Sequence, residues 1–280
     1  MFLLLSLIVL AWSGLWALIN RPYSRFQSVG LACSISFIAT NFVNNQLKYA
    51  FRQDAFGNDD RLIIGALYRS PEEVERWRNE FSASRPIIAY CSHGREVSQG
   101  VAEALRRAGV EARYLESGIG GWKELHLPTR RKRDASESKW VTREHPKIDR
   151  IACPWLISRF VKPDAEFIYV PPNEVANIAA SIGGTPYDIK GVEFGHVGER
   201  CSFDAIVRAY DIHDQALDRL ATIVRGADTS RPDLTPQCEG LLAISYGLSA
   251  NFPNDHEMLK HGMVMYDALY TWCRQQVAKR

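Results

Sequence analysis

Residues 85–118 constrain the fold of this chain more than any other stretch. Two short apolar runs, "RPIIAYC" and "VEARYLESG", flank the amphipathic segment "VSQGVAEALRRAG", which stops at Gly109. Runs of this length read as buried strands, and the helical spacing between them reads as a helix ended by glycine. Strand, helix, strand at these lengths is a βαβ crossover, so the two strands lie parallel with helices packed over the sheet. Upstream, "EEVERWRNEF" has helical spacing after Ser70-Pro71, a capping residue followed by proline at the first helical position. An α/β domain is therefore expected over residues 46–128.

The chain has 280 residues, more than the roughly 100–200 usual for one domain, which predicts a second unit. Beyond Pro128, "TRRKRDASESK" has no apolar periodicity and concentrates Arg130, Arg131, Lys132 and Arg133, so residues 129–140 are expected to be an exposed polar linker. Residues 141–280 carry strand signals at "AEFIYV" and "TPYDI". Helical patterns occupy "CPWLISRFV", "SFDAIVRAY", "DQALDRLATIVRGA", "CEGLLAISYGLSA" and "DHEMLKHGMVMYDALYTWCRQQ", making this half a mostly helical α+β domain.

Residues 1–45 are hydrophobic, and "FLLLSLIVLAWSGLWALI" runs for 18 residues without a charge, near the lower limit for spanning a bilayer. This segment is a candidate membrane anchor; a buried helix or a mis-assigned start codon are the alternatives. A secretory signal is less well supported, since no basic residue precedes the run and no small-x-small site follows it. Arg21 and Arg25 come next, which would hold the rest of the chain in the cytoplasm, tethered to the inner face of the membrane by residues 2–19. Six cysteines scattered through a chain of this size read as reduced thiols, in keeping with a cytoplasmic location. A net charge of +2, from 34 basic and 32 acidic residues, creates no global field, and nucleic acid is not an expected partner.

Within the crossover, "YCSHGREVSQG" places Cys91 at the end of a strand and opens a helix after a short loop. Backbone N–H groups and the positive end of the helix dipole would then converge on the sulfur and favour thiolate, the nucleophilic form. Gly94 allows a tight turn, and Arg95 offers a guanidinium that lowers the thiol pKa further and forks toward an oxyanion. An ordinary buried thiol at a strand end is the competing reading.

"CSHGREVSQGVAEALRRAGVEARYLESGIGGW" resembles the rhodanese family of sulfurtransferases. The likeness lies in Cys91 with His93 and Gly94 in a short loop, Ser98 on the helix, and Ser117 to Trp122; "RLIIGAL" looks like the family's segment ahead of its first helix. The resemblance implies a parallel sheet with flanking helices and a Cys91 that takes sulfur from a donor such as thiosulfate. The resulting persulfide passes its sulfur to a thiol or cyanide acceptor, without a cofactor. Ser92, His93, Gly94, Arg95 and Glu96 would hold the substrate, their amides on the sulfur and the Arg95 side chain on the donor. The phosphatase branch of the same fold needs an arginine six positions after the cysteine, where this chain has Val97. One departure stands out: the family's Asp-Val-Arg-like strand end has no counterpart in "QLKYAFRQDAF", where Arg52 or Asp54 would have to substitute. A rhodanese-like domain without turnover, in a sensor or regulatory protein binding chromate or a metal ion, is the alternative reading.

In the second half, "HPKIDRIACPWLISRFVKPDAEFIYV", "GVEFGHVGERCSFDAIV", "LATIVRGADT" and "DHEMLKHGMVMYDALYTWC" resemble the carboxy-terminal domain of the chromate-resistance protein family. The residues themselves supply candidate metal ligands. His196, Glu199, Cys201 and Asp204 fall close together in a glycine-containing turn, with His145 or His256 to complete a set; Cys153, His213, Asp228 and Glu257 are further candidates. No Cys-x-x-Cys or His-Glu-x-x-His pattern is present. Asp149 and Arg150, ahead of "IACPWLI", read as a helix cap and a buried ion pair.

Overall fold

A computed structural model describes residues 48–50, 59–80, 86–133 and 138–279. The candidate anchor at 2–19, and Arg52 and Asp54, lie outside those residues. Among the described residues no helix is long and apolar enough to cross a membrane. The chain divides into two compact units. One takes the residues up to Asp60 together with Ala66–Leu127; the other takes Arg61–Gly65 and the chain from Pro128 onward.

Three short strands open the described chain: β1 (Lys48–Ala50), β2 (Arg61–Ile63) and β3 (Leu67–Arg69). In the first unit β1 pairs with β3 in parallel. Helical turns then follow, of which Val74–Trp77 is α1. The βαβ crossover comes next: β4 (Ile87–Ala89), α2 (Glu96–Arg107) and β5 (Ala112–Tyr114), with β4 and β5 parallel. A short helix, α3 (Gly118–Glu124), closes the unit. Val101, Ala102 and Leu105 lie on one face of α2 and pack against Ile87, Ala89 and Ala112, with Trp77 across the end. Burying one Leu-sized side chain contributes about 2 kcal/mol, which is what holds so short a helix on so small a sheet. Gly109, at φ +79°, ends α2, and the Val110 N–H returns to the Leu105 carbonyl at 3.1 Å.

The helix read at 72–81 is shorter than expected. A single α turn lies between two 3₁₀ turns at Pro71–Glu73 and Arg78–Glu80. Ser70 does not cap it. Its hydroxyl goes to Glu72, and its carbonyl accepts the Trp77 indole N–H at 2.7 Å. Anchoring the indole, the one buried side chain of α1, fixes the turn where it is.

The second unit is built on β7 (Lys139–Arg143), which runs parallel to β8 (Glu166–Val170) on one side and β9 (Thr185–Pro186) on the other. Ahead of it, β6 (Thr129–Arg131) pairs antiparallel with β2. From β7 the chain reaches β8 through α4 (Asp149–Leu156) and a π turn at Ile157–Val161, and from β8 it reaches β9 through α5 (Val175–Ile182). Four more helices follow: α6 (Ser202–Ala209), α7 (Gln215–Asp228), α8 (Gln237–Asn251) and α9 (Asp255–Ala278). The fold is thus the expected α/β unit followed by a mostly helical one. The sequence patterns for α6 to α9 mark the helices that form, whereas α5 carries no reading from its sequence.

The stretch read as an exposed linker, 129–140, is structured at both ends. Arg130 is buried, with its guanidinium over the Tyr210 ring, and Arg133 makes a two-pronged contact to Glu193 at 2.8 and 2.9 Å. Arginine stems cover apolar surface while their heads find partners, so a basic run with no apolar periodicity still packs when aromatic rings and a free strand edge lie beside it.

Helix α9 crosses α4 at Gly262, where an added Cβ would lie 2.3 Å from Ile151 Cγ2. The crossing brings Trp155, Phe160 and Tyr270 into one aromatic group with centroids 5.4–5.5 Å apart. Asp267 accepts from the Trp155 indole at 2.7 Å and from Arg159 at 2.9 and 2.8 Å. Gly262→Ala is expected to lower stability by up to about 2 kcal/mol, because overpacking at the crossing, about 1–3 kcal/mol, exceeds the roughly 1 kcal/mol that alanine gains in a helix. Chemical denaturation of the two chains checks this. An equal or higher midpoint for the variant would show that α9 moves away freely.

Candidate functional site

Cys91 follows β4 directly and is half-buried, with Tyr90 wholly enclosed before it. Its Sγ lies 3.3 Å from Ser98 Oγ, one turn into α2. Burial pushes the thiol up. The Ser98 hydroxyl and the N–H groups of His93, Arg95 and Ser98 outweigh that and hold it below the ordinary thiol range. Arg95 contributes through its backbone N–H. Its side chain is exposed. Of the five amides expected to face Cys91, those of His93 and Arg95 do so. Ser92 gives its carbonyl to Gly120, Gly94 gives its own to the Gln99 side chain, and Glu96 begins α2 at the surface.

The loop is braced by the Ser117–Trp122 stretch. Gly94 sits at φ +69°, and a Cβ there would lie 2.3 Å from the Leu115 carbonyl oxygen. Gly118 sits at φ +57°, and a Cβ there would lie 2.1 Å from the Cys91 carbonyl oxygen. Both positions therefore need glycine twice over, for the left-handed backbone and for the close approach. Two hydrogen bonds complete the brace, Ile119 N–H to the Cys91 carbonyl and Gly120 N–H to the Ser92 carbonyl, both at 3.0 Å. Hydrogen bonds within the described residues thus fix the loop from the α3 side.

Three of the buried thiols differ from Cys91. Burial pushes Cys153 and Cys201 far up and Cys273 to about 11. Cys201 occupies the N-cap of α6, its backbone N–H donating to Asp204 at 3.1 Å.

The second unit does not bring together His145, His196, Glu199, Cys201 and Asp204. His145 is exposed, with its backbone N–H on Asp255. Glu199 projects into solvent 3.6 Å from Arg231. Asp204 is held by Arg225 at 2.6 and 2.8 Å. His196 instead faces three other carboxylates: Nε2 lies 3.1 Å from Asp228 Oδ2, 3.3 Å from Asp188 Oδ1 and 3.5 Å from Asp149 Oδ2. Asp149 does not cap its own helix or pair with Arg150. Its Oδ2 accepts the Ser202 N–H at 2.6 Å, capping α6 from outside, and the Arg150 side chain approaches Asp188. Asp188 also accepts from Arg143 at 2.7 Å and from Ser202 Oγ at 2.9 Å. Burial, and then the neighbouring carboxylates, drive Asp149 up to about 7 against the opposing His196 hydrogen bond. The three carboxylates drive His196 up to about 12. Burial would raise Asp188, but its bonds to His196, Arg143 and Ser202 hold it low.

The family model described as "ChrB, C-terminal domain" matches residues 140–273, and the "Rhodanese-like domain" model matches residues 61–125. Protein ChrB of Cupriavidus metallidurans is 30% identical over 288 residues, spanning 92% of this chain and 86% of the relative. The chain belongs to the ChrB family. Among solved structures, a full-length protein from Lactobacillus plantarum is 18% identical, covers 35% of this chain and 82% of its own, and has a TM-score of 0.32. A rhodanese-related protein from Thermoplasma volcanium is 18% identical over 34% of this chain and 92% of its own, with a TM-score of 0.30.

In this ChrB-family chain the cysteine loop could be found from spacing, whereas the carboxylate group around His196 could not. Asp149, Asp188 and Asp228 are far apart in sequence and share no motif. His196 and Asp228 stood among the candidate ligands by residue type alone, and Asp149 was marked by its place just ahead of Arg150 and the apolar run "IACPWL". Two outcomes follow for the loop. Ser98→Ala removes a donor to the sulfur, so the pH at which iodoacetamide alkylates Cys91 at half its maximal rate is expected to rise toward the ordinary value of about 8.5. Gly118→Ala is expected to lower stability by about 1–3 kcal/mol through the left-handed backbone and the contact with the Cys91 carbonyl. Thermal denaturation beside Gly100→Ala reads this, since a Cβ at Gly100 meets nothing within 4 Å.

Proposed function

We propose that this chain is a rhodanese-type sulfurtransferase in which Cys91 carries the sulfur, within a protein linked to chromate resistance. The carrying observation is the setting of Cys91: half-buried, 3.3 Å from Ser98 Oγ, and held below the ordinary thiol range by Ser98 and three N–H groups. The match of residues 61–125 to the rhodanese-like model supports the sulfur chemistry, and membership of the ChrB family supports the link to chromate resistance.

The Cys91 thiolate attacks the outer sulfur of thiosulfate. A new S–S bond forms, the sulfur–sulfur bond of the donor breaks, and sulfite leaves with the electron pair. The enzyme is left with a Cys91 persulfide whose terminal sulfur carries the negative charge. An acceptor thiolate then attacks that terminal sulfur, takes it as its own persulfide, and returns Cys91 as thiolate. The backbone donors that stabilise the thiolate also receive the charge of the persulfide. Arg95, an exposed residue of the same loop, is the side chain assigned to the anionic donor.

Incubation of the full chain with thiosulfate, read by intact mass, is expected to add roughly 32 Da, one sulfur atom on a reactive thiolate. Cys91→Ser is expected to gain nothing. A wild-type chain without the adduct overturns the reading. Persulfide formation depends on the thiolate, whose fraction rises as pH climbs through the lowered pKa. The initial rate is therefore expected to be more than half its plateau value at pH 8.5, about where an ordinary thiol is half ionised, and to fall as the pH drops through the Cys91 pKa.

A further inference from the structure

The carboxylates around His196 take no part in the sulfur chemistry, and ordinary ion pairing does not account for them. Asp188 is fully answered by Arg143, Arg150 and Ser202. Asp149 has the Ser202 N–H on Oδ2, and beyond that it shares one imidazole nitrogen with Asp228. A proton on Nε2 points in one direction and serves one acceptor well, yet three carboxylate oxygens lie 3.1–3.5 Å from that nitrogen. The second oxygen of the wholly buried Asp149 carboxylate, Oδ1, has no hydrogen-bond partner. A buried carboxylate oxygen without a donor is costly, and the same carboxylate offers a ligand atom within 4.8 Å of one from His196 and one from Asp228, which points to an occupant that accepts lone pairs.

We propose that Asp149, His196 and Asp228 bind one divalent first-row transition-metal ion of the Zn2+ class. One ligand atom from each residue lies within 4.8 Å of the others. The His196 to Asp228 and Asp149 distances of 3.1 and 3.5 Å match the separation, about 3.0–3.5 Å, of neighbouring ligands bound at about 2.1 Å from one ion. One imidazole nitrogen with carboxylate oxygens suits zinc, iron or manganese, and the thiols Cys153 and Cys201 stay outside the set. A divalent cation balances the charges of Asp149 and Asp228 and leaves His196 neutral, the form that ligates. Ser202 supports the site from behind, its N–H on Asp149 and its hydroxyl on Asp188. His196 is 43% exposed, which gives an ion a way in. The same negative charge excludes an oxyanion such as chromate from this position.

The test is titration of Zn2+ into the chelator-stripped full chain by calorimetry, with the thermal midpoint measured in parallel. One Zn2+ per chain and a higher midpoint are expected. His196→Gln and Asp228→Asn, each checked for native helix content by circular dichroism, are expected to weaken binding at least about tenfold and to abolish the midpoint shift. His196→Gln alters a partly exposed side chain, so its reading does not hang on the fold, whereas Asp149→Asn disturbs the α6 cap as well. Cys91→Ser is expected to bind Zn2+ as the wild type does. Absence of stoichiometric uptake by the wild type, wild-type affinity in both variants, or loss of uptake in Cys91→Ser overturns the proposal.

Discussion

A carboxylate removed from water has to be met by donors at the point of burial, and the second unit is arranged around that requirement. Asp149, Asp188 and Asp204 are all buried. Asp149 takes the first N–H of α6, Asp188 takes Arg143 from β7, and Asp204 takes Arg225 from α7. Each pairing joins an element to one that is distant in sequence, so the three together set how α4, α6 and α7 meet the sheet. Removing one partner of such a pair leaves an uncompensated charge inside, which costs several kcal/mol; the arrangement is therefore hard to relax. His196 comes to face three carboxylates because α4, α7 and the bend after β9, which carry them, are held together by these pairings.

The first unit solves a related problem with backbone alone. Negative charge on the Cys91 sulfur is stabilised by backbone N–H groups of the loop and the start of α2 and by one hydroxyl. Such donors need no reorganisation when charge develops, provided that the loop stays in place. Gly94 and Gly118 hold it by letting two stretches of backbone approach closer than any side chain would permit. Rigidity here comes from the missing Cβ atoms.

Legibility from sequence follows the range of the interactions. The cysteine loop depends on contacts a few residues apart, so the strand, the turn at Gly94 and the helix at Val97–Gly109 are all visible in the text. Arg95 shows the limit of that reading. Its residue type suggested a guanidinium near the sulfur, while its position at the helix start made its N–H the useful group. Asp149 misled in the same way: an aspartate at the head of a helix reads as a cap for that helix, yet its side chain serves α6, 53 residues away in sequence. The basic run after Thr129 looked like solvated linker because its partners, Tyr210 and Glu193, are not local.

By itself the sequence determined the crossover, the short loop between Cys91 and the helix, the order of an α/β unit and a mostly helical one, and the likeness to two families. These depend on periodicity, turn residues and short spacing, which the chain carries along its length. Only the tertiary structure decided which residues surround His196, which groups brace the cysteine loop from α3, and where the basic run packs. Those outcomes depend on burial and on charge pairing between distant segments, and neither exists until the chain has folded.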